Sequence, residues 1–190
     1  MSRSRLEAFS DAVIAIIMTI MVLELKVPHS GDWASLRPLL PVFCSYVLSF
    51  VYLGIYWNNH HHMLHTADSV NGRILWANLH LLFWLSLFPF GTAWMGENHL
   101  AAVPTVAYGA VLACAAVAYY LLKIAIIAHQ GEHSRLKEAV GSDVKGIASI
   151  VFYVAALPLA FVHTGLSVAI YSLVAAMWFI PDRRIESQLR

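Results

Sequence analysis

Arg5-Leu-Glu-Ala-Phe-Ser-Asp-Ala-Val-Ile-Ala-Ile-Ile-Met-Thr-Ile-Met-Val-Leu-Glu-Leu-Lys-Val-Pro28 is an apolar stretch of membrane length that carries charges a lipid-facing helix would not. Between Asp11 and Glu24 every residue is uncharged. That interval covers only about 20 Å at about 1.5 Å per residue, short of the roughly 30 Å of a hydrocarbon core. A full span therefore draws in Asp11 or Glu24, with Glu7 one turn further out. Charges at such depth are costly, so they normally face protein or water and often mark a pathway. The stretch is expected to lie inside a bundle, with the rest of the chain around it.

Ser4-Arg-Leu-Glu7 fits a capping box, with Ser4 accepting from the early amides and Glu7 reaching back, and Pro28 marks the stop. Stepping about 100° per residue from Ile16 places Ala12, Thr19, Ile20 and Leu23 on one stripe. Ile14, Ile17, Met21 and Leu25 fall elsewhere, and Asp11 lies well off the stripe. This geometry permits a division of labour, in which branched apolar side chains meet an axis while Ser10 and Asp11 anchor the helix to its neighbours. Any packed membrane helix offers such a stripe, so periodicity by itself favours ordinary packing.

The whole chain, 1–190, reads as one all-α membrane domain. It is 59% hydrophobic and 12% charged, with a mean hydropathy of +0.67, far from the roughly one quarter charged residues of a soluble domain. A net charge of +1 leaves no basic footprint for nucleic acid. Arg3 and Arg5 precede the first apolar run, but no small-residue cleavage site follows Leu23, where Glu24 and Lys26 intervene; the run reads as a retained span.

Six apolar intervals divide the sequence: about Leu6 to Val27, Leu39 to Trp57, Ile74 to Met95, Leu100 to Leu122, Gly146 to His163 and Thr164 to Ile180. The last two are separated by a tight turn near His163-Thr164-Gly165, because one uninterrupted helix would be too long even when tilted. With both termini on the cytoplasmic side, that side holds Arg3, Arg5, Arg73, Lys123, Arg135, Lys137, Lys145, Arg183, Arg184 and Arg190. Only Lys26 and Arg37 are left outside, as the positive-inside rule requires. Trp33, Trp57, Trp76, Trp94 and Trp178 lie near span ends. Lys123 is placed to snorkel to the cytoplasmic surface, and Pro89 and Pro158 are expected to kink spans three and five. A turn or two of helix is expected from Ser134 to Val140 in the longest polar connection.

Cys44 and Cys114 fall within spans two and four and form neither a disulfide framework nor a metal motif. His60, His61, His62 and His65 crowd the cytoplasmic end of span two. Only fragments of the boxes a diiron or haem site would use are present, and no Glu sits between His61 and His65 in the zincin pattern. Interfacial, partly solvated histidines are the plainer reading. Asn78 and His80 sit among Leu, Phe and Trp in span three, where an unpaired amide or imidazole is costly, so each needs a partner. Ser10 and Asp11 are the natural candidates, and bonds from them to groups of spans two and three, Asn78 or His80 among them, would fix the rotation of the first helix. Backbone carbonyls are the alternative partners.

Arg5-x-x-x-Phe9-Ser10-Asp11 at the head of the first membrane helix resembles the signature of the prokaryotic branch of the transmembrane protein 175 family of potassium channels. Tyr56-Trp57-x-x-His60-His61 and the segment from Asn78 to Phe90 extend the likeness across most of the chain, and the paired histidines after Trp57, which recur in the family, imply a structural tie to the first helix. Phe88-Pro89-Phe90 stands where the family has Leu-Pro-Phe. The resemblance implies four six-helix subunits around a central pore lined by their first helices, a homotetramer in the cell membrane. Carried onto this sequence, it implies a constriction at Ile16, where the family has Leu, with Ile20 and Leu23 stacked outward and Thr19 supplying the one hydroxyl. The permeant ion would be potassium, with no cofactor. These are the positions that periodicity placed together, so the resemblance favours a pore over mere packing.

No Gly-rich phosphate cradle, Ser-His-Asp ordering or Walker sequence supports catalysis. The carbonyl filter sequence Thr-Val-Gly-Tyr-Gly is also absent. Two rivals to a modestly potassium-selective leak channel are a secondary transporter, although no internal repeat is evident, and a metal- or haem-binding membrane protein built on His60 to His65.

Overall fold

The computed structural model describes residues 2–67, 69–131, 134–141 and 143–179. Among these residues every regular element is helical: α1 (Arg3–Ile20), α2 (Leu40–His65), α3 (Gly72–Ser86), α4 (Phe88–Glu97), α5 (Ala102–Gln130), α6 (Arg135–Val140), α7 (Val144–Val162) and α8 (Thr164–Phe179). α1 continues as a 3-10 turn over Met21–Glu24, and a second 3-10 segment, Trp33–Leu39, leads into α2. Five helical stretches are long and apolar enough to cross a membrane: Arg3–Glu24, Trp33–His65, Gly72–Glu97, Ala102–Gln130 and Val144–Val162. α8 is apolar but shorter. Its expected end at Ile180, and Arg183, Arg184 and Arg190 of the charge argument, lie outside the described residues.

Local chemistry accounts for most boundaries. Asp32 caps the entry to α2 by accepting from the Ser35 amide at 2.9 Å, which helps to hold its carboxyl below the usual range. Asn71 caps α3 through the Ile74 amide at 3.0 Å. Asp143 caps α7 through Gly146 N at 3.1 Å. Gly131 ends α5 at a φ of 72°, a conformation that favours glycine. Between α7 and α8 the break falls at His163, whose extended backbone stops the first helix. Its Nδ1 accepts from Gly165 N at the start of the second, at 3.1 Å.

Several sequence expectations require correction. α1 begins at Arg3 after Ser2, so Ser4 and Glu7 form no capping box; the Glu7 carboxylate instead meets His61. α2 does not stop at Trp57 but runs two turns further to His65, which places the histidine cluster on the helix. Pro89 does more than kink span three. The helix ends at Ser86, Leu87 makes a turn, and α4 restarts with Pro89 in its first turn, where a missing N–H is harmless. Pro158, by contrast, lies within an uninterrupted α7. Lys123 does not snorkel. It is buried, pairs with Asp143 and lies over the Tyr120 ring at 4.4 Å.

The largest correction concerns the centre of the fold. The chain surrounds α5, not α1. α5 buries twelve residues, against four on α1: Leu6, Ser10, Ile14 and Ile17. Small side chains let α5 approach its neighbours closely. A Cβ at Gly109 would strike the Tyr171 hydroxyl and come within 2.7 Å of its Cζ. Ala115 and Ala118 are also fully buried on this helix.

Tyrosine hydroxyls tie the surrounding helices together. Tyr108 and Ser49 share a bond of 2.8 Å, Thr92 donates to Ser49 at 2.6 Å, and Tyr153 donates to Tyr52 at 3.1 Å. α1 lies at the edge of this assembly, against α2, α3 and α4.

Candidate functional site: the two faces of the first helix

α1 presents a pinned face and an uncovered one. On the pinned face Leu6, Ser10, Ile14, Ile17 and Met21 recur every three or four residues and are buried. Ser10 sits where three helices meet. Its hydroxyl donates to Leu6 O at 2.9 Å and accepts from Asn78 Nδ2 of α3, also at 2.9 Å. Asn78 Oδ1 in turn faces His60 Nε2 of α2 at 2.7 Å. All three side chains are fully buried.

The network also assigns the protons. The Asn78 amide spends its nitrogen on Ser10, so its oxygen must accept, and His60 Nε2 carries the hydrogen. His60 Nδ1 is left without a protein partner among the described residues.

Two further ties flank this chain. Trp57 Nε1 donates to Asp11 Oδ1 at 3.1 Å, and His61 Nδ1 lies 2.7 Å from Glu7 Oε1. At the start of the helix, Arg3 Nη1 donates to His65 O at 2.9 Å. Arg3, Glu7, Ser10 and Asp11 in the first three turns of α1 are therefore held by α2 and α3, which fixes both the rotation and the depth of the helix.

His80 has no part in this chain. It points to the exposed side of α3, and its Nε2 accepts from Trp84 Nε1 at 2.9 Å. A tie from His60 and His61 to α1 is an expectation of the resemblance alone; the residues by themselves read as interfacial, and Trp57 as a span-end anchor, so their place on the α2 side of the seam is not read from the sequence pattern. The available signal was helical period: continued past Trp57, the buried series Ser45, Ser49, Tyr52 and Leu53 reaches His60, Met63 and Leu64 on one face. Among the described residues no group of three or more His, Cys, Asp or Glu is placed to hold a metal ion.

The uncovered face lies roughly 100–120° round the helix from the pinned one. Ile16 is 57% exposed, Ile20 43% and Leu23 77%, and Ala12 and Thr19 lie on the same side. Phe9 and Arg5 of the motif also face outward. The Thr19 hydroxyl is folded back onto Ile16 O at 2.9 Å and Ala15 O at 3.0 Å.

Beside this face, Val13, Ile16 and Ile20 form one wall of an open groove whose other wall is Ser86, Pro89, Phe90 and Ala93, with Glu24 at its outer end. Lys26 pairs with Glu97 at 2.5 Å rather than with Glu24. The hydrogen bond and charge of Glu97 raise the Lys26 pKa above its ordinary value.

An all-helical membrane chain with one helix pinned by a polar seam and turned apolar side outward has the architecture of a membrane channel protein. The profile of the family described as Endosomal/lysosomal potassium channel TMEM175 matches residues 5–89, which contain both faces of α1 and the whole seam. A potassium channel of Chryseobacterium sp. (strain P1-3) is 55% identical over 190 residues, covering 100% of this chain and 99% of that protein. A potassium channel of Streptomyces collinus is 30% identical, over 90% of this chain and 88% of its own. The crystal structure of a lysosomal potassium-selective channel TMEM175 homolog from Chamaesiphon minutus superposes with a TM-score of 0.82 at 27% identity, covering 95% of this chain and 97% of that one. The chain belongs to the TMEM175 family. That family and these relatives are ion channels, not enzymes.

Proposed function

We propose that this chain is the subunit of a potassium channel in which the first helices of four copies surround one axis, and that Ile16, Ile20 and Leu23 form its constriction. Each subunit spans the cell membrane six times, α8 supplying the sixth crossing, with both termini in the cytoplasm. The observation that carries this reading is the exposure of Ile16, Ile20 and Leu23 on a helix whose other side is fixed. A lipid-facing stripe needs no such pinning. A pore-lining stripe does, because a small rotation of α1 would carry the isoleucines away from the axis.

The mechanism follows from hydration. An apolar ring offers no ligands to replace an ion's water, so the ring passes ions only when it is wide enough to stay wet. Potassium holds its water less tightly than sodium and loses less on entry. Thr19, one turn outward of Ile16, adds a hydroxyl oxygen beside the collar. The outcome is modest preference for potassium over sodium and low throughput. Glu24 at the outer end of the stripe concentrates cations there.

Purified protein reconstituted into liposomes tests this directly. Potassium efflux is expected to exceed sodium efflux several-fold under equal gradients and to require no second solute. Equal fluxes would remove the selectivity claim, and strict coupling to another solute would favour a transporter.

A further inference from the structure

α3 leaves a stripe uncovered in the single subunit: Trp76, Leu79, His80, Phe83 and, past the Leu87 break, Phe90. All but one are apolar, as a lipid-facing stripe would be. His80 is the exception. An indole N–H can only donate, so the bond from Trp84 requires a lone pair on His80 Nε2 and puts the ring's hydrogen on Nδ1. No described residue of the same subunit accepts that hydrogen. His80 lies about 12 Å along α3 from Gly72, within an apolar span. Acyl chains offer no acceptor at that depth.

The matching acceptor is on the other flank of the subunit. Asn78 bonds Ser10, so His80, two residues further on, lies level with Asp11 and Ala12 of α1. Asp11 spends Oδ1 on Trp57 of α2. Its second oxygen takes no hydrogen bond from the described residues, and both Asp11 and Trp57 are incompletely covered. α1 is thus flanked by α3 carrying a spare donor and by α2 beside a spare acceptor, at one depth. In a closed ring with α1 innermost, the α3 flank of each copy must meet the α2 flank of the next, a heterologous contact.

We propose that a second copy of this chain covers the α3 stripe, and that His80 Nδ1–H donates to the Asp11 carboxylate of that copy. This rests on the pore reading above. It makes Asp11 the point where the pinned seam of one subunit is joined to its neighbour, which gives the ring a preferred register.

Cysteine pairing tests the contact. In a Cys44→Ala, Cys114→Ala background, Asp11→Cys with His80→Cys in one chain is expected to give, on mild oxidation in membranes, a covalent ladder of subunit multiples. Either cysteine alone should give none. Because Asp11→Cys also removes the Trp57 bond, a second arm keeps the seam intact: a photo-crosslinking residue at Phe83 in the otherwise native full-length chain. It should capture a peptide from α1 or α2 of another copy. Capture of lipid alone, or an absent ladder, in protein that still assembles and conducts potassium would overturn the inference and leave the pore reading standing. Native chain that neither assembles nor conducts would overturn both.

Discussion

α1 and α5 are both apolar enough to span a bilayer, yet they occupy opposite positions in the fold. α5 is the packed centre, and α1 lies at the edge with its isoleucines uncovered. Hydropathy cannot tell the two apart, because in a membrane chain it reports the solvent and not the neighbours. Side-chain size and polar placement do separate them. Gly109, Ala115 and Ala118 let other helices close on α5. Ile16, Ile20 and Leu23 stand uncovered, while Ser10 and Asp11 tie other sides of α1 to α3 and α2. On the reading proposed above, the uncovered side of this rotationally fixed edge helix meets further copies of the chain.

The sharpest way to break this contrast is to spoil the centre. Gly109→Val puts a branched side chain where a Cβ already meets the Tyr171 ring and lies 2.9 Å from Leu157 Cδ2. Overpacking of this kind is expected to cost about 3 kcal/mol, read as a large fall in the thermal midpoint in detergent. An unchanged midpoint would show that α5 is not the tight centre.

Asn78→Leu comes next. It strips partners from His60 Nε2 and Ser10 Oγ together, both fully buried, at a cost of about 2 kcal/mol. Potassium flux should fall with stability, because α1 loses its fixed rotation. Normal flux from this variant would separate the seam from pore geometry.

Ile16→Asn is expected to do the reverse. Stability should move by no more than about 0.5 kcal/mol, as for an uncovered site, while flux rises several-fold and the preference for potassium over sodium shrinks. Glu24→Gln is the smallest change. Flux should fall slightly at low ionic strength and match wild type in high salt, where screening removes the attraction. An effect that persists in high salt would give Glu24 a direct role in the pore.

Much of this was legible in the residues. The apolar intervals, the break at His163 and the short helix after Ser134 follow from length, extended or capping residues and polarity. The need of Asn78 for a partner follows from the cost of an unpaired amide in hydrocarbon, and Ser10 lay within reach as a candidate. What stayed hidden depends on which surfaces meet.

His60 reads as interfacial when α2 is stopped at Trp57, because a run of histidines looks polar in a hydropathy window. Only the continued helical period shows that His60 and His61 fall on different sides, one buried and one paired with Glu7. Lys123 reads as a snorkelling cation because Asp143, its partner, lies twenty residues away across a polar connection. His80 reads as a partner for α1 because spacing places it near Asn78, yet a step of two positions, about 200° round the helix, carries it to the opposite face.

The central claim is that ions pass against Ile16. Ile16→Cys in a Cys44→Ala, Cys114→Ala background, reconstituted in liposomes and exposed to silver ion, tests it most directly. The account predicts that silver stops potassium flux through this variant and spares Phe152→Cys on the uncovered side of α7. Undiminished flux through silver-treated Ile16→Cys would contradict it.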